Sequence, residues 1–287
     1  MKDWKVTAVI TTYKREWTSI VRAINSVLNQ TMPVYELLLV DDNDSDSLYS
    51  KGIQNEVTKM ERVRYVPMVK NRGVAEARNR GIAEAKGDLI AFLDDDDEWA
   101  PEKVAVQVSM FEKEPDLGIA FVTGRVINDE NGREHYNWQY EIFKENPSYV
   151  DMLYTDYVGS ASVPMIRLNV LRDVGGFIRE NQPAVEDYEL WIRIAKKYNI
   201  KGVKDVLFIK HTDSNEHVSG SLVKVGRGFR NIYTLNQADY QKNLRAHVAI
   251  LWNICRCGVR GKDITVVPYV FRWLGLRFLA QLRGIMI

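Results

Sequence analysis

Residues Gly87–Val104 read GDLIAFLDDDDEWAPEKV and give the clearest indication of the fold class. Asp88–Leu93 is a mostly apolar run with the length of a buried strand, and it ends abruptly on four carboxylates, Asp94–Asp97. Pro101–Lys113 then reads as a helix, because proline is favoured at an early helical position where its missing N–H costs nothing. A buried strand that ends on polar side chains and continues into a helix is typical of an α/β sheet.

Two similar strands precede this one. Val6–Thr11 is a β-branched run, and Glu36–Val40 (ELLLV) is an apolar run that stops at an aspartate. Between these strands the sequence predicts helices over Ser19–Gln30, Glu56–Arg62 and Gly73–Ala85, and a short strand over Val63–Val66. Strands that alternate with helices predict a mostly parallel sheet covered on both faces. Because ligands bind beyond the carboxyl ends of such strands, three polar clusters are expected to converge on one crevice: Thr11–Arg15, Asp41–Asp46 and Asp94–Asp97.

The second half of the chain carries weaker signals. Strands are expected at Ile119–Val126, Val163–Ile166 and Val206–Ile209, with a hairpin-type turn at Asn128–Arg133 and a helix over Glu186–Tyr198. After about residue 220 acidic residues nearly vanish and aromatic residues alternate with arginines, so a boundary is expected there.

The composition excludes several classes of protein. The chain has 287 residues, 46% of them hydrophobic and 10% aromatic, which excludes a disordered or low-complexity chain. Lys and Arg number 39 against 38 Asp and Glu, which argues against a generally basic nucleic-acid-binding protein. No apolar run reaches the ~18 residues of a membrane-spanning helix, and the N-terminus reads as a strand rather than a signal peptide. Two cysteines, Cys255 and Cys257, are too few for a disulfide framework or a structural zinc site and favour a reducing cytoplasm.

The acidic run Asp94–Asp97 predicts a metal site. Four adjacent carboxylates repel one another, and a divalent cation relieves that repulsion. Hard oxygen ligands suit Mg²⁺ or Mn²⁺, which uses one or two carboxylates and completes its coordination with substrate phosphates and water. The alternative is a solvated acidic turn before a helix N-terminus, where Asp and Glu are also favourable.

Five segments, taken in order, resemble glycosyltransferase family 2. They are VITTYKRE (Val9–Glu16), ELLLVDDNDSD (Glu36–Asp46), NRGVAEARNRGI (Asn71–Ile82), GDLIAFLDDDDEWAPEKV (Gly87–Val104) and VEDYELWIRIA (Val185–Ala195). The resemblance covers roughly residues 5–220 and implies an α/β fold of GT-A type, with a Rossmann-like, mostly parallel sheet flanked by helices. It implies a catalytic domain over 1–220, with a nucleotide-sugar half about 1–100 and an acceptor half about 101–220. Residues 221–287 would form a helical C-terminal extension.

The resemblance also implies roles for single residues around the crevice. In the family the loop after the first strand lies against the nucleotide, so the residues expected to bind the nucleotide sugar there are Thr11, Thr12, Tyr13 and Arg15. The Tyr13 ring would stack. Asp42 matches the carboxylate that accepts the uracil N3–H, a suitable pairing for an acceptor. The alternative for Asp42 is an aspartate that serves the DNDSD turn or a helix N-cap.

Further roles are implied for the third and fourth segments. Arg78 is expected near the diphosphate and the acidic loop, and its alternative is a surface salt bridge on an Ala-rich helix. Asp94 and Asp96 form a D-x-D pair: Asp96 is expected to contact the metal directly, and Asp94 and Asp95 to bind ribose, water or metal. Asp97 is expected to cap the following helix.

The pair Glu186–Asp187 matches the E-D-x-x-L-W segment of the family. Inverting transfer needs one carboxylate to take the proton of the acceptor hydroxyl, while the metal stabilises charge on the departing diphosphate. By resemblance Asp187 is the base, and Glu186 contacts the acceptor or orients the site. An ordinary acidic helix N-terminus is the alternative. Family members also carry a histidine near the metal or diphosphate, which His211 or His217 would supply, although a lone histidine is more often structural.

The C-terminal segment is basic and aromatic. The last 62 residues hold ten Lys and Arg against two Asp, a net charge of +8, while the preceding 225 residues carry −7. Arg, Trp and Phe in one segment suit an element that lies on an anionic membrane surface, although Arg272 and Arg277 are expected on different sides of a helix. The alternative is a helical hairpin that packs on the catalytic domain or on a second copy in a homo-oligomer.

The sequence therefore predicts a metal-dependent, inverting hexosyl- or N-acetylhexosaminyl-transferase. Its donor would be a nucleotide sugar, UDP-linked because of Asp42, and its acceptor a hydroxyl of a cell-surface glycan or lipid-linked glycan. No nucleic-acid partner is expected, and the expected location is the cytoplasm or the inner face of the cell membrane. Two alternatives stay open: a degenerate, non-catalytic nucleotide-sugar or glycan-binding module, and a sugar nucleotidyltransferase, although VITTYKRE lacks the Gly-rich phosphate loop of that class. A dehydrogenase is disfavoured because no G-x-G-x-x-G follows the first strand.

Overall fold

A computed structural model describes residues 3–178, 184–212 and 222–285. Within these residues nine strands form one sheet. In chain order they are β1 (Val6–Thr12), β2 (Glu36–Asp41), β3 (Val63–Pro67), β4 (Leu89–Asp94), β5 (Glu98–Trp99), β6 (Leu117–Asn128), β7 (Glu134–Tyr136), β8 (Met165–Arg167) and β9 (Asn199–Thr212). The order across the sheet is β3-β2-β1-β4-β8-β6-β9-β5, and β7 pairs with β6.

The sheet is mixed and mostly parallel, as expected. β1 lies between β2 and β4 and runs parallel to both, and β2 runs parallel to β3. The short strand β8 is antiparallel to β4 and β6, and β9 then runs parallel to β6. All seven residues of β1 are buried, which agrees with its near-continuous apolar and β-branched sequence. The predicted fold class is confirmed.

Helices alternate with the strands along the described part of the chain, and four more come after the last strand. They are α1 (Trp17–Leu28), α2 (Leu48–Val57), α3 (Val74–Glu84), α4 (Lys103–Lys113), α5 (Trp138–Glu141), α6 (Tyr149–Tyr154), α7 (Leu168–Val174), α8 (Glu186–Ala195), α9 (Leu222–Leu235), α10 (Gln237–Lys242), α11 (Leu244–Arg260) and α12 (Val267–Leu282), with a 3₁₀ turn at Ile264–Val266. α3 lies very close to β1, because a Cβ on Gly81 would stand 2.5 Å from a methyl of Val9. Glycine at that position therefore lets the helix that carries Arg78 approach the sheet.

One predicted helix was wrong in position, and one predicted strand was too short. The expected helix at Glu56–Arg62 is absent there; α2 ends at Val57, and it begins after Ser47, whose hydroxyl accepts the Ser50 N–H at 3.1 Å. β9 has 14 residues where the sequence predicted four, because charged residues interrupt its apolar pattern. The turn at Asn128–Arg133 is confirmed, with a hydrogen bond from the Asn128 N–H to the Arg133 carbonyl at 2.9 Å.

The C-terminal helices α9 and α10 pack against α8 and α6. The Tyr188 and Phe229 rings meet edge to face with centroids 6.5 Å apart, and the Tyr149 hydroxyl donates to Asp239 at 2.8 Å. The expected boundary near residue 220 lies in 213–221, outside the described residues. No helix in the described part of the chain is both long and apolar enough to cross a bilayer.

Candidate active site

The carboxyl ends of β1, β2 and β4 meet at one edge of the sheet. Thr12 pairs with Asp41, and Thr11 pairs with Asp94. The three polar strand ends therefore lie side by side, as expected. A cavity of about 500 Å³ opens there, and the residues that line it are Thr11, Thr12, Tyr13, Arg15, Asp42, Asn71, Gly73, Val74, Ala77, Arg78, Asp94, Asp95, Asp96, Lys210 and Thr212. The structure thus brings together every residue that the sequence suggested for the nucleotide sugar.

Asp42 is buried directly after β2 and holds the loop that precedes α3. One of its carboxylate oxygens accepts the Arg72 N–H at 2.8 Å, and the other accepts the Gly73 N–H at 2.8 Å and the Asn71 side-chain amide at 2.9 Å. Burial raises the pKa of Asp42 above its ordinary value, against the lowering effect of the Arg72 and Gly73 hydrogen bonds. A carboxylate offers about four acceptor positions, and the residues that the structure describes use three of those of Asp42, which lines the cavity.

Arg78 is buried at 4% exposure and joins the acidic loop to the Glu186–Asp187 pair. Its guanidinium donates to Asp94 at 2.8 Å and to Glu186 at 2.8 Å, and it lies over the Phe177 ring, 5.4 Å from the centroid. Burial acts to lower the pKa of Arg78, but the charges of Asp94, Glu186 and Asp187 raise it overall. The arginine is therefore a fixed cation between two carboxylates, and the alternative of a surface salt bridge is wrong.

Arg15 contributes a second cation to the acidic loop. Its guanidinium donates to Asp95 at 3.1 Å and to Asp96 at 2.7 Å. Asp95 is buried, and burial raises its pKa to about 6 despite hydrogen bonding and the Arg15 charge. Burial also acts to raise the pKa of Asp94, but the adjacent Arg78 lowers it below its ordinary value. The loop therefore holds carboxylates of different proton affinity within one short turn.

Asp97 does not cap the following helix, so that expectation was wrong. The residue at the N-cap of α4 is Glu102. Asp97 is fully buried, where it accepts the Ser162 hydroxyl at 3.2 Å and the backbone N–H of His211 at 3.4 Å. It thereby ties the acidic loop to β9 and to the segment before β8.

The acidic loop offers a donor set that fits a shared metal ion. The side chains of Asp94 and Asp96 remain 30% and 21% exposed at the cavity. The described residues contain no group of three or more His, Cys, Asp or Glu side chains that could hold a metal by themselves. Mg²⁺ and Mn²⁺ commonly take only one or two protein carboxylates and complete their coordination with phosphate oxygens and water. Two cavity-facing carboxylates therefore suit such an ion when a diphosphate is bound beside it.

Asp187 lies in the first turn of α8, next to Glu186. Its carboxylate accepts the Tyr188 N–H at 2.8 Å. Burial raises the pKa of Asp187 well above its ordinary value, and the negative charges of Glu186 and Asp156 raise it further, against the lowering effect of Arg78. A carboxylate with a raised pKa is a stronger proton acceptor, which is what a general base requires.

The residue before this pair has a strained backbone. Val185 is the N-cap of α8 and has φ 60° and ψ 27°, a left-handed conformation that is an outlier for a β-branched residue. Such strain persists only where the surroundings hold it, and it clusters at functional sites. α9 supplies that support, because a Cβ on Gly228 would overlap the Ala184 carbonyl oxygen and a Val185 methyl. Helix α9 therefore packs directly against the turn that precedes Glu186 and Asp187.

The structure does not bring His211 to the cavity. Its two ring nitrogens lie 2.6 Å from a carboxylate oxygen of Asp129 and 2.7 Å from one of Glu98. Its neighbours Lys210 and Thr212 line the cavity instead, since side chains alternate along β9. His211 thus belongs to a charged cluster on the outer side of the acidic loop, and His217, the other candidate, lies outside the described residues.

Sequence reasoning missed three polar residues of the cavity. Asn71 opens the NRG segment, which is the signal that could have identified it. Its side-chain amide donates to both the side chain and the carbonyl of Asp42. Lys210 and Thr212 lie at the end of β9, and Lys210 acts electrostatically on Asp94. The strand predicted from the sequence ends at Ile209, so the sequence does not indicate that the end of β9 lines the cavity.

Comparison with known proteins identifies relatives over most of the chain. Residues 7–174 match the family model of glycosyl transferase family 2. The chain is 27% identical over 263 residues to WfgD of Escherichia coli, and the match covers 91% of this chain and 96% of WfgD. The full name of that relative is UDP-Glc:alpha-D-GlcNAc-diphosphoundecaprenol beta-1,3-glucosyltransferase WfgD. The chain is 31% identical over 249 residues to an uncharacterized glycosyltransferase, RC0461, of Rickettsia conorii, covering 84% of this chain and 39% of that longer protein.

A solved structure shares the fold. S. aureus TarS 1–349 in complex with UDP-GlcNAc superposes with a TM-score of 0.67 and 18% sequence identity, covering 95% of this chain and 79% of that one. The similarity extends beyond the matched family region into the C-terminal helices, since it covers nearly the whole chain.

Proposed function

The chain belongs to glycosyltransferase family 2, and from that premise we propose that it transfers a sugar from a UDP-sugar to a hydroxyl of a lipid-linked glycan, with inversion and with Mn²⁺ or Mg²⁺. The observation that carries the proposal is the Arg78 bridge. One buried guanidinium binds Asp94 of the acidic loop and Glu186 beside the candidate base, both at 2.8 Å. In this proposal Arg78 thereby holds the acidic loop, which would bind the donor, in a fixed position relative to the Glu186–Asp187 pair, which would accept the proton.

Three features support a UDP-sugar donor. Asp42 faces the cavity with an acceptor position to spare for the uracil N3–H, and Tyr13, 45% exposed, offers a ring at the mouth. Arg15, Arg78 and Lys210 line the same cavity and suit a diphosphate. The relatives agree, since the name of WfgD states a UDP-Glc donor and TarS was solved with UDP-GlcNAc.

The metal would be held by Asp96 and Asp94 together with the donor diphosphate. When bound, Mn²⁺ or Mg²⁺ supplies positive charge to the departing UDP. In that arrangement Arg15, which contacts Asp95 and Asp96, helps to balance the charge of the loop. His211 plays no part in this proposal because carboxylates engage both of its ring nitrogens.

Asp187 would be the general base and Glu186 an orienting residue. The acceptor hydroxyl oxygen attacks the anomeric carbon of the donor sugar, its proton moves to the Asp187 carboxylate, and the bond from that carbon to UDP breaks on the opposite face. The raised pKa of Asp187 favours this proton transfer. Glu186 accepts a hydrogen bond from Arg78, which fixes its position beside the base, and its negative charge helps to raise the pKa of Asp187.

The acceptor and the location are proposed from the name of WfgD and from α12. WfgD acts on a sugar diphosphate attached to undecaprenol. On α12 a stripe of apolar side chains points to solvent, at Val267, Phe271, Leu274, Phe278 and Leu282. At 3.6 residues per turn, Arg272 and Arg277 lie about a third of a turn to either side of this stripe. An apolar stripe with arginines on both flanks suits contact with an anionic membrane surface, on the cytoplasmic side where nucleotide sugars are made.

A vesicle assay tests the membrane contact. The protein should sediment with phosphatidylcholine vesicles only when phosphatidylglycerol is added, and the double change Phe271→Ser, Phe278→Ser should abolish this. These two rings are 71% and 63% exposed, so the folded core should tolerate their loss. Leu48→Ser on α2, at an 87% exposed position, is the matched control. If the double variant still sediments but loses a dimeric native mass, the stripe joins two copies of the chain and the membrane contact is refuted.

A screen of nucleotide sugars tests the proposed activity. UDP-glucose, UDP-N-acetylglucosamine, UDP-galactose, GDP-mannose and dTDP-glucose are incubated with the full chain and Mn²⁺, and release of the free nucleotide is measured. Slow hydrolysis of a UDP-sugar that EDTA abolishes supports the proposal. Release of pyrophosphate from UTP and a sugar phosphate would favour a nucleotidyltransferase, and UDP-sugar binding without turnover in the presence of lipid-linked acceptors would favour a binding module.

A further inference from the structure

A second cavity lies between the sheet domain and the C-terminal helices. It measures about 310 Å³, and residues that line it include Tyr154, Thr155, Trp252, Asn253, Trp273 and Arg277. They come from the end of α6, from α11 and from α12. The cavity shares no residue with the one that holds the acidic loop. Its walls therefore form only where the extension meets the acceptor half.

The aromatic residues of this second cavity present open faces. The Trp252 and Trp273 rings pack at 5.1 Å between centroids, inclined by 32°. Trp252 remains 46% exposed, so part of its ring is accessible from the cavity. Tryptophan faces are good surfaces for a flat or apolar ligand group.

Arg277 lines the second cavity, and Arg245 lies beside it, over the Tyr154 ring that lines it. In the described parts of the chain neither arginine has a carboxylate partner. The Arg245 guanidinium lies over the Tyr154 ring at 4.4 Å, and the Arg277 guanidinium lies over the Trp273 ring at 5.0 Å. Both side chains are exposed. Each is positioned by an aromatic ring but keeps its N–H groups for another acceptor, and a guanidinium is well matched to phosphate oxygens.

Helix α6 and the residues directly after it join the second cavity to the candidate base, Asp187. Thr155 is followed by Asp156, whose negative charge raises the pKa of Asp187. The Tyr188 hydroxyl also donates to the Met152 carbonyl of α6 at 2.6 Å, so α6 and α8 are held together. On its other side the cavity includes Arg277, which flanks the exposed apolar stripe of α12. The cavity thus lies between the proton-accepting carboxylate and the proposed membrane-facing side.

We propose that this second cavity binds the diphosphate and the first isoprenoid units of a lipid-linked acceptor. Arg245 and Arg277 bind the phosphates, and the Trp252–Trp273 pair contacts the first isoprenoid units. The lipid then leaves along the α12 stripe, while the acceptor sugar extends past Asp156 to Asp187. This assignment rests on the proposed function for the nature of the acceptor, but its residues belong to a site separate from the donor cavity.

A soluble prenyl diphosphate tests the site directly. Farnesyl diphosphate is titrated into the full chain with excess UDP and Mg²⁺ present, so that the donor cavity does not compete for the diphosphate, and binding is followed by calorimetry. Arg277→Gln should weaken binding by tenfold or more, because it removes a charge-assisted contact. Arg283→Gln, which removes an exposed charge from the residue directly after α12, is the matched control and should change affinity less than twofold.

Three comparisons decide the outcome. Farnesol and inorganic pyrophosphate should each bind much more weakly than farnesyl diphosphate, since each offers only half of the required chemistry. Equal affinity for farnesol, equal effects of Arg277→Gln and Arg283→Gln, or displacement of farnesyl diphosphate by a free disaccharide would overturn the assignment. Hydrolysis of UDP-sugar is measured on the same protein preparations without added UDP. Hydrolysis without farnesyl diphosphate binding refutes the second cavity alone, whereas specific farnesyl diphosphate binding without UDP-sugar turnover refutes the proposed transfer alone.

Discussion

Replacing Arg78 with methionine removes the buried guanidinium that joins the two halves of the site and keeps a side chain of similar length. The wild-type group makes two charge-assisted hydrogen bonds of 2.8 Å, to Asp94 and Glu186. Hydrogen bonds to charged groups contribute about 1.5–3 kcal/mol each, and removal of one partner from a buried ion pair costs about 3–5 kcal/mol. We therefore expect Arg78→Met to lower the free energy of unfolding at pH 7.5 by about 3–5 kcal/mol.

The loss should depend on pH in a defined direction. In the wild type Arg78 lowers the pKa of Asp94, so this pair stabilises the fold above the unfolded pKa of an aspartate, about 3.9, and the contribution fades as pH falls below it. In the variant Asp94 lacks its cation while its partial burial still acts to raise its pKa, so it can take up a proton at a higher pH. The difference in unfolding free energy between the two proteins should therefore shrink between pH 7.5 and pH 5.

Urea unfolding at the two pH values measures the effect, with Arg80→Met as the matched control. Arg80 lies on the same helix, its side chain is 51% exposed, and it pairs with Glu84 at 2.8 Å. Such a surface pair contributes only about 0.3–0.5 kcal/mol. If Arg78→Met loses no more stability than Arg80→Met, or if its loss is the same at both pH values, Arg78 is not the buried bridge described above.

Two further changes test the supports of the site. Gly228→Ala places a methyl group against the Ala184 carbonyl and Val185, so it should lower both the thermal midpoint and turnover. The control is Gly275→Ala, where a Cβ meets nothing within 4 Å, and it should stabilise α12 by about 0.5–1 kcal/mol. Equal thermal midpoints for the two variants would contradict the close contact at Gly228. Burial raises the pKa of Asp95 to about 6, so ionising this group destabilises the fold, and the penalty builds from about pH 4 to pH 6. Asp95→Asn should therefore raise the free energy of unfolding at pH 7.5 in EDTA by up to about 3 kcal/mol, and the gain should vanish at pH 4. Urea unfolding that shows no gain at pH 7.5 would contradict this.

The cavity at the carboxyl ends of β1, β2 and β4 could be predicted closely from the sequence. Its residues lie in short segments directly after apolar strands, and parallel strands bring their carboxyl ends to one edge. Thr11, Asp42 and Asp94 therefore converge for reasons that a linear pattern already contains. The same reasoning explains why the fold class was predicted correctly.

Other parts of the site depend on contacts that no local pattern reveals. Lys210 reaches the cavity from the end of a strand whose charged residues hid its length. Asp97 was expected to cap a helix because acidic residues favour helix N-termini, yet it is buried against Ser162 and the backbone of β9. The support of Val185 by Gly228 joins residues more than 40 positions apart, in two helices with no shared motif. Such tertiary contacts decide which polar residues become part of a site.

The most direct test of the central claim is the turnover of Asp187→Asn with a UDP-sugar and an N-acetylglucosaminyl-diphosphate-lipid acceptor. The substitution keeps the size of the side chain but removes the proton acceptor, so kcat should fall by about 10²–10⁴-fold, while the Kd for the UDP-sugar stays within about twofold. In the wild type kcat should rise with pH as Asp187 loses its proton, and this rise should disappear in the variant. Near-normal turnover by Asp187→Asn, with the same pH profile as the wild type, would contradict the account.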